Sequence, residues 1–271
     1  MARTEHLLVN DDCGGGLLQG FLVVPHAKKH IGVSPTRACC ALVASSNPLF
    51  ADSNDLFQHG LRVFMKLRTL ACGDQSRSAY WRDELMAALA VLLELARAFS
   101  TTPARRPIRL IAFDLEESDR AGSRAYAEDL RRRGESLALM ISLEMLGYRD
   151  PRPGSQRYPA GLRYFYPGTG DFIGLIGNVR ALPYLWRLAA EVRKAVPCEF
   201  LPVPFKGRIV PDTRRSDHAS FWDLGYPAIM VTDTANMRNP HYHTPSDRIE
   251  TLDLDFLTAV CRGLTSGLAA L

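Results

Sequence analysis

Short apolar runs alternate with longer stretches of helical periodicity along most of this chain, and that alternation limits its fold more than any other feature. Runs at 17–24, 38–44, 108–113, 137–143 and 228–232 have the length of strands. Segments 80–99, 123–132, 182–196 and 253–271 have the spacing of helices. The clearest is 80–99, where Leu85, Leu89, Leu92, Leu93 and Leu95 make a broad apolar stripe. Gly134 and Pro197 stop two of the helices, and Pro103 and Pro107 mark a loop. Strand followed by helix, repeatedly, predicts an α/β fold with three layers: a mostly parallel central sheet with helices on both faces. The 271 residues suffice for one large α/β domain. No repeat and no Ser/Gly/Pro-rich linker divides them, so the expected unit is a single domain over 1–271. Residues 48–80 are irregular, and 149–170, rich in Pro, Gly and Tyr, read as a surface excursion.

Composition removes several function classes. Thirty-three basic residues against twenty-nine acidic ones leave a net charge of +4, too slight an excess for a nucleic-acid surface. The run Arg131-Arg132-Arg133 reads as the end of a helix, where the dipole favours cations. Six cysteines (Cys13, Cys39, Cys40, Cys72, Cys198 and Cys261) include no Cys-x-x-Cys pair, which argues against a thiolate metal site. No apolar run approaches the roughly 20 residues of a membrane span, so no membrane partner is expected. The start of the chain lacks the basic-then-apolar order of a signal peptide, which reads as a cytoplasmic location. There is no Gly-x-Ser-x-Gly nucleophile elbow and no Walker-type phosphate loop. The glycines of 168–174 are misplaced for a dinucleotide loop and follow no strand.

The chemistry gathers where α/β sheets place it, outside the carboxyl ends of strands. Glu116 and Glu117 follow the 108–113 run, Glu144 follows 137–143, and His241-Tyr242-His243 lies in a loop after 228–232. Carboxylates and imidazoles together suit a borderline-soft dication such as zinc. Adjacent carboxylates can divide the work: one binds metal, and its neighbour takes a proton from water that the metal acidifies. Taken alone, the Glu116–Glu117 pair reads more readily as loop charges opening the next helix.

Four blocks of sequence carry a resemblance. Ile-Arg-Leu-Ile-Ala-Phe-Asp-Leu-Glu-Glu at 108–117 is followed by Gly-Ser-Arg-Ala-Tyr-Ala at 122–127. Then come Met-Ile-Ser-Leu-Glu-Met-Leu-Gly-Tyr at 140–148, Ser-Asp-His at 216–218 with Gly-Tyr-Pro-Ala at 225–228, and Asn-Pro-His-Tyr-His-Thr-Pro-Ser-Asp at 239–247. In this order the blocks resemble the co-catalytic zinc aminopeptidases, a family that includes bacterial leucyl aminopeptidases, glutamate carboxypeptidases and glutaminyl cyclases. The resemblance covers 81–271 and leaves 1–80 atypical. It implies a zinc exopeptidase fold, one or two zinc ions, and a peptide or amino-acid derivative as substrate. It further implies Glu116 as general base, Glu117 and His243 as ligands of one zinc, and Glu144 as a ligand of the other. Counting back from Leu-Leu-Glu-Leu-Ala-Arg at 92–97 places Glu84 at the family's metal-bridging carboxylate. Tyr242 takes the place of a tyrosine that steadies the oxyanion in some relatives. Asp217 and His218 would brace the site by hydrogen bonds.

One block departs from the pattern. The 38–44 run leads into Ser45-Ser46-Asn47, where the family has His-x-Asp. Three readings follow: a working exopeptidase with one or two zincs, a single-zinc acyltransferase like the glutaminyl cyclases, or a catalytically silent homologue that binds partners.

Overall fold

Leu139, Met140 and Ile141 show how the molecule is assembled, because successive side chains of one buried strand serve two different cores. Leu139 and Ile141 belong to one apolar cluster and Met140 to the other. The same alternation separates Leu110 from Ile111 and Ile229 from Ala228. A strand covered on both faces needs few polar residues, which is why 137–143 is apolar except for Ser142, whose hydroxyl is hydrogen-bonded.

The computed structural model describes residues 82–113, 116–159 and 161–271, with 82–85 as backbone only, and the backbone of a strand at Gln19–Pro25. The run 38–44, Ser45 and Asn47, segment 48–80 and the side chain of Glu84 lie outside the described residues. In chain order the strands are β1 (Gln19–Pro25), β2 (Arg109–Phe113), β3 (Leu137–Glu144), β4 (Ile173–Asn178), β5 (Cys198–Val203) and β6 (Ala228–Thr232). The helices are α1 (Arg82–Thr101), α2 (Ala121–Arg132), α3 (Leu182–Val192), α4 (His218–Asp223) and α5 (Leu254–Ala270).

The six strands form one sheet in the order β2-β1-β3-β6-β4-β5. Helices α1, α3 and α5 pack on one face through residues such as Leu95, Leu188 and Val260. Helices α2 and α4 pack on the other through Leu130, Phe221 and Trp222. The three-layer α/β architecture is therefore present. Its parallel pairings are β3 with β6 and β4 with β5. Antiparallel pairings join β1 to both β2 and β3, and β4 to β6. Because β1 opposes both neighbours, β2, β3 and β6 all run the same way. Their carboxyl ends share one edge of the sheet.

Local chemistry explains most element boundaries. Gly134 adopts φ +64°, and the amides of Gly134 and Glu135 bond the carbonyls of Arg131 and Leu130. That pairing closes α2 with a Schellman motif. The Asp253 side chain accepts from the Phe256 amide and caps α5. Helix α3 ends at Val192, earlier than Pro197 alone suggests, and one further turn follows in which the Val196 amide still reaches the Val192 carbonyl. Strands β4 and β5 give no clear sequence signal, since β4 contains Gly174 and Gly177 and β5 contains Pro202. The glycines are there for space: a Cβ on Gly177 would lie 3.2 Å from Ile229. Among the described residues no helix is long and apolar enough to cross a membrane.

Two more glycines set the distance between α3 and α5. A Cβ on Gly263 would come within 3.1 Å of the Val192 Cα, and one on Gly267 within 2.5 Å of Leu188. Replacing a mid-helix glycine usually stabilises by about 1 kcal/mol. Here overpacking against backbone, typically ~1–3 kcal/mol, opposes that gain. Gly263→Leu is expected to lower the urea midpoint, with a net loss of about 2 kcal/mol; a midpoint that rises would show that the helices part without cost.

Candidate active site

The shared carboxyl edge of β2, β3 and β6 gathers the candidate residues. Glu116 and Glu117 stand just beyond β2, Glu144 is the last residue of β3, and the segment leading to His243 departs from β6. Glu144 lies opposite Thr232 in the β3·β6 register, so the two strand ends are level. Asp233, fully buried, ties them together. Its amide bonds the Met145 carbonyl at 2.6 Å, and its carboxylate accepts from the amides of Tyr148 and Ala235 at 2.8 and 2.9 Å. Two residues here hold left-handed backbone: Met145, directly after Glu144, at φ +52°, and His243 itself at φ +57°. Left-handed conformations are costly for side chains of this bulk and concentrate at functional sites.

His243 and not His241 faces the carboxylates. The Nδ1 of His241 hydrogen-bonds the Ser246 hydroxyl at 2.9 Å, and its ring meets the edge of Tyr148. His243 Nε2 lies 3.6 Å from Glu117 Oε1. Burial and the neighbouring Arg215 push the His243 pKa down to about 4, so the contact joins a carboxylate to a neutral imidazole and is not an ion pair. Tyr242 stacks on the His243 ring with centroids 3.7 Å apart, and Arg215 donates to its hydroxyl at 3.3 Å. Burial, with Glu144 nearby, raises the Tyr242 pKa, which keeps the phenol protonated and able to donate.

The carboxyl groups are crowded. Burial, then the charges of Glu144, Asp217 and Glu117, raise Glu116 to about 10. Burial, with Asp217, Glu117 and Asp233, raises Glu144 to about 8, against a hydrogen bond from Ser216. Glu117 is also raised by burial, while a hydrogen bond from Glu116 and the charge of Arg215 oppose the shift. Glu144 keeps one buried oxygen, Oε2, without a hydrogen-bond partner. Like charges this close disfavour joint ionisation unless a cation stands among them. The donors are carboxylates and an imidazole, and the free thiols of Cys198 and Cys261 are buried in the apolar core. That set fits zinc. Glu117 and His243 are already adjacent, but among the described residues no three His, Cys, Asp or Glu side chains converge closely enough to hold an ion.

Asp217 and His218 sit behind the carboxylates at the start of α4, both fully buried. His218 Nε2 donates to the Thr213 carbonyl at 2.8 Å, and its ring stands edge-on to Trp222. Ser142 and Ser216 share a 2.7 Å hydrogen bond that joins β3 to the segment before α4. Sequence reasoning had singled out neither Arg215 nor Asp233. Asp233 carried a usable signal, an acidic residue directly after a strand, as for Glu144. Arg215 carried none, because only the folded loop brings it to Tyr242.

The profile of peptidase family M28 matches residues 87–266. The uncharacterized protein YfbL of Escherichia coli K12 is 35% identical over 188 residues, covering 67% of this chain and 57% of YfbL. Among solved structures, Legionella pneumophila LapA aligns with a TM-score of 0.50 at 18% identity, covering 68% of this chain and 46% of LapA. An aminopeptidase from Aneurinibacillus sp. strain AM-1 aligns with a TM-score of 0.45 at 25% identity, covering 67% and 37%. The chain thus spans a little over half the length of YfbL and less than half that of the two aligned structures.

Burial pushes the His218 pKa down to about 3, so the folded protein keeps this ring neutral while the unfolded chain protonates it near 6.5. A depressed folded pKa gives stability that is complete above pH 6.5 and is lost as pH falls toward 3. Stability measured from pH 5.5 to 4 should therefore carry a downward component approaching about 1.4 kcal/mol per pH unit that is missing in His218→Gln. Identical slopes in the two proteins would show that His218 does not stay neutral.

Proposed function

Because the chain belongs to peptidase family M28, we propose that it is a zinc-dependent exopeptidase of the aminopeptidase type, hydrolysing the bond after the first residue of a peptide. The observation that carries this reading is the meeting of Glu117 with His243, beside Glu116 and Glu144, at the common end of three strands. Glu117, His243 and Glu144 would hold zinc, with Glu84 as the further carboxylate that the family pattern suggests. A zinc ion held there would supply Lewis acidity toward the scissile carbonyl and toward water.

The chain's own residues do the rest. Glu116 takes the proton from the attacking water and returns it to the leaving amine. Burial and then the neighbouring carboxyls make Glu116 hold a proton firmly once it has taken one, and the charge of a bound dication would lower that affinity enough for it to start as the carboxylate. Tyr242 donates its phenolic hydrogen to the oxygen that becomes negative as the carbonyl turns tetrahedral. Arg215 fixes the direction of that phenol through its 3.3 Å hydrogen bond. Asp233, Ser142 and Ser216 hold the strand ends that carry these groups.

Removing the base should separate chemistry from metal binding. Glu116→Gln is expected to lower kcat on leucine anilide by about 10²–10⁴-fold while the zinc content of the purified protein stays unchanged. Undiminished turnover would overturn the assignment of the base, and loss of zinc would recast Glu116 as a ligand.

A further inference from the structure

A cavity of about 830 Å³, counting the part that opens to solvent, adjoins the carboxylate cluster, with Glu144 and Tyr242 in its wall and much of the rest apolar. Two arginines, Arg157 and Arg215, line it as well. They arrive from distant parts of the chain: Arg157 from the Tyr- and Pro-rich excursion, Arg215 from the segment just before α4. Both are fastened to one residue, Asn236, in the turn that follows β6. Arg157 Nη2 donates to the Asn236 main-chain carbonyl at 2.7 Å, and Arg215 Nη1 donates to the Asn236 side-chain oxygen at 2.9 Å. Arg215 Nη2 also donates to the Tyr242 hydroxyl at 3.3 Å, and its guanidinium carbon stands 5.7 Å from the centre of the Tyr242 ring.

The charge of this pair is left uncompensated. Both arginines are exposed, and the oxygens that hold them are neutral: a carbonyl, an amide and a phenol. Among the described residues neither forms an ion pair, although Glu117 feels the charge of Arg215 at longer range. The acidic residues of the same lining are placed otherwise. Glu199 pairs with Arg193 at 3.6 Å, Asp212 is exposed and pairs with neither arginine, and Glu144 belongs to the carboxylate cluster. The frame behind the pair is stiff. The Arg157 amide bonds the Met237 carbonyl at 2.9 Å, and the neighbouring Gln156 donates to the Thr234 hydroxyl at 3.0 Å and accepts from Arg238 at 2.8 Å. These bonds use only part of each guanidinium, so both keep N–H groups for a ligand. Two fixed cations with donors to spare suit the paired oxygens of a carboxylate.

Position selects which carboxylate. With Tyr242 directed at the reacting carbonyl, an anion on the neighbouring Arg215 lies within about one residue of the scissile bond. The ammonium of the first residue is repelled by two guanidiniums and drawn instead to the carboxylate cluster, where Glu144 keeps an unpartnered oxygen. The carboxylate then belongs to the residue that leaves. Resting on the reading of the site as an exopeptidase, we propose that Arg157 and Arg215, joined through Asn236, bind a carboxylate on the leaving residue of the substrate. The preferred substrates are then dipeptides, through their terminal carboxylate, or peptides whose second residue is acidic. A carboxylate there is favoured over the matching amide by at least about fivefold, the worth of a partly exposed charge-assisted contact.

Two measurements on the full zinc-loaded chain test this and keep it apart from the assignment of the reaction. The first needs no turnover: N-acetylleucine and N-acetylleucinamide, which imitate the leaving residue with its amide bond intact, are titrated by calorimetry. N-acetylleucine should bind at least about fivefold more tightly. Arg157→Gln keeps a donor for the Asn236 carbonyl but loses the charge, so it should remove most of that difference, while Arg157→Lys retains it. Equal binding of acid and amide would overturn the proposal. So would a difference that survives Arg157→Gln in full, as coordination of the acid by metal alone would leave it. The second measurement compares kcat/KM for Leu-Leu against Leu-Leu-amide, and for Leu-Glu-amide against Leu-Gln-amide. A preference in the first pair assigns the subsite to a terminal carboxylate, and one in the second pair assigns it to an acidic side chain. Hydrolysis without preference in either pair would sink the proposal and leave the exopeptidase reading standing. Selective binding of N-acetylleucine with none of the four peptides hydrolysed would sustain the anion subsite and sink the exopeptidase reading.

Discussion

The burial of several carboxyl groups together at the ends of parallel-running strands is the constraint on which this structure turns. Burial first, and then the charges of neighbouring carboxylates, Asp217 and Glu117 among them, raise the proton affinity of Glu116 and Glu144. Such a cluster opposes folding unless the scaffold fixes it and a cation offsets it. The scaffold here is stiff. Strand β3 is buried on both faces and pairs in register with β6 up to Glu144 itself. Beyond that point the backbone amides gathered by Asp233 prevent the two strand ends from separating.

The strain in the backbone belongs to the same arrangement. Met145 and His243 both sit in left-handed conformations, one directly after a candidate ligand and one at a candidate ligand. Neither is glycine, so the surrounding contacts must hold them there. Arg215 has a double part: it opposes the raised proton affinity of Glu117 and helps keep His243 neutral. A neutral imidazole beside a carboxylate is the state that binds a metal ion. A cavity with a partly apolar lining opens alongside, with Glu144 and Tyr242 in its wall.

Much of this was legible in the sequence, and the reasons for success and failure differ from element to element. Strand β3 was readable because burial on both faces demands a nearly continuous apolar run, broken here only by the hydrogen-bonded Ser142 before its closing Glu144. Strand β6 was readable over the same residues it occupies, 228–232, for the same reason. Strand β4 was hidden by two glycines that give neighbouring side chains room. The antiparallel insertion of β1 between β2 and β3 was hidden as well, because a strand's apolar pattern does not record its direction. At the site, Glu116, Glu117, Glu144 and His243 were recognisable from their positions after strands and from the order of the motifs. Arg215 and the apolar cavity were not, since both depend on where the 149–170 excursion and the segment before α4 come to rest. Glu84 stands apart from these: the described part of α1 leaves its side chain out, and its ligand role rests on the family pattern.

On the proposed reading, oxygen and nitrogen donors from Glu117, His243 and Glu144 hold zinc at this edge of the sheet. X-ray absorption at the zinc edge, recorded on the full chain after zinc loading and removal of excess metal, tests it most directly. A first shell of oxygen and nitrogen alone at about 2.0–2.2 Å is expected, with the outer-shell scattering of one imidazole that disappears in His243→Ala. A sulfur shell at about 2.3 Å, or a protein that retains no zinc, would contradict it.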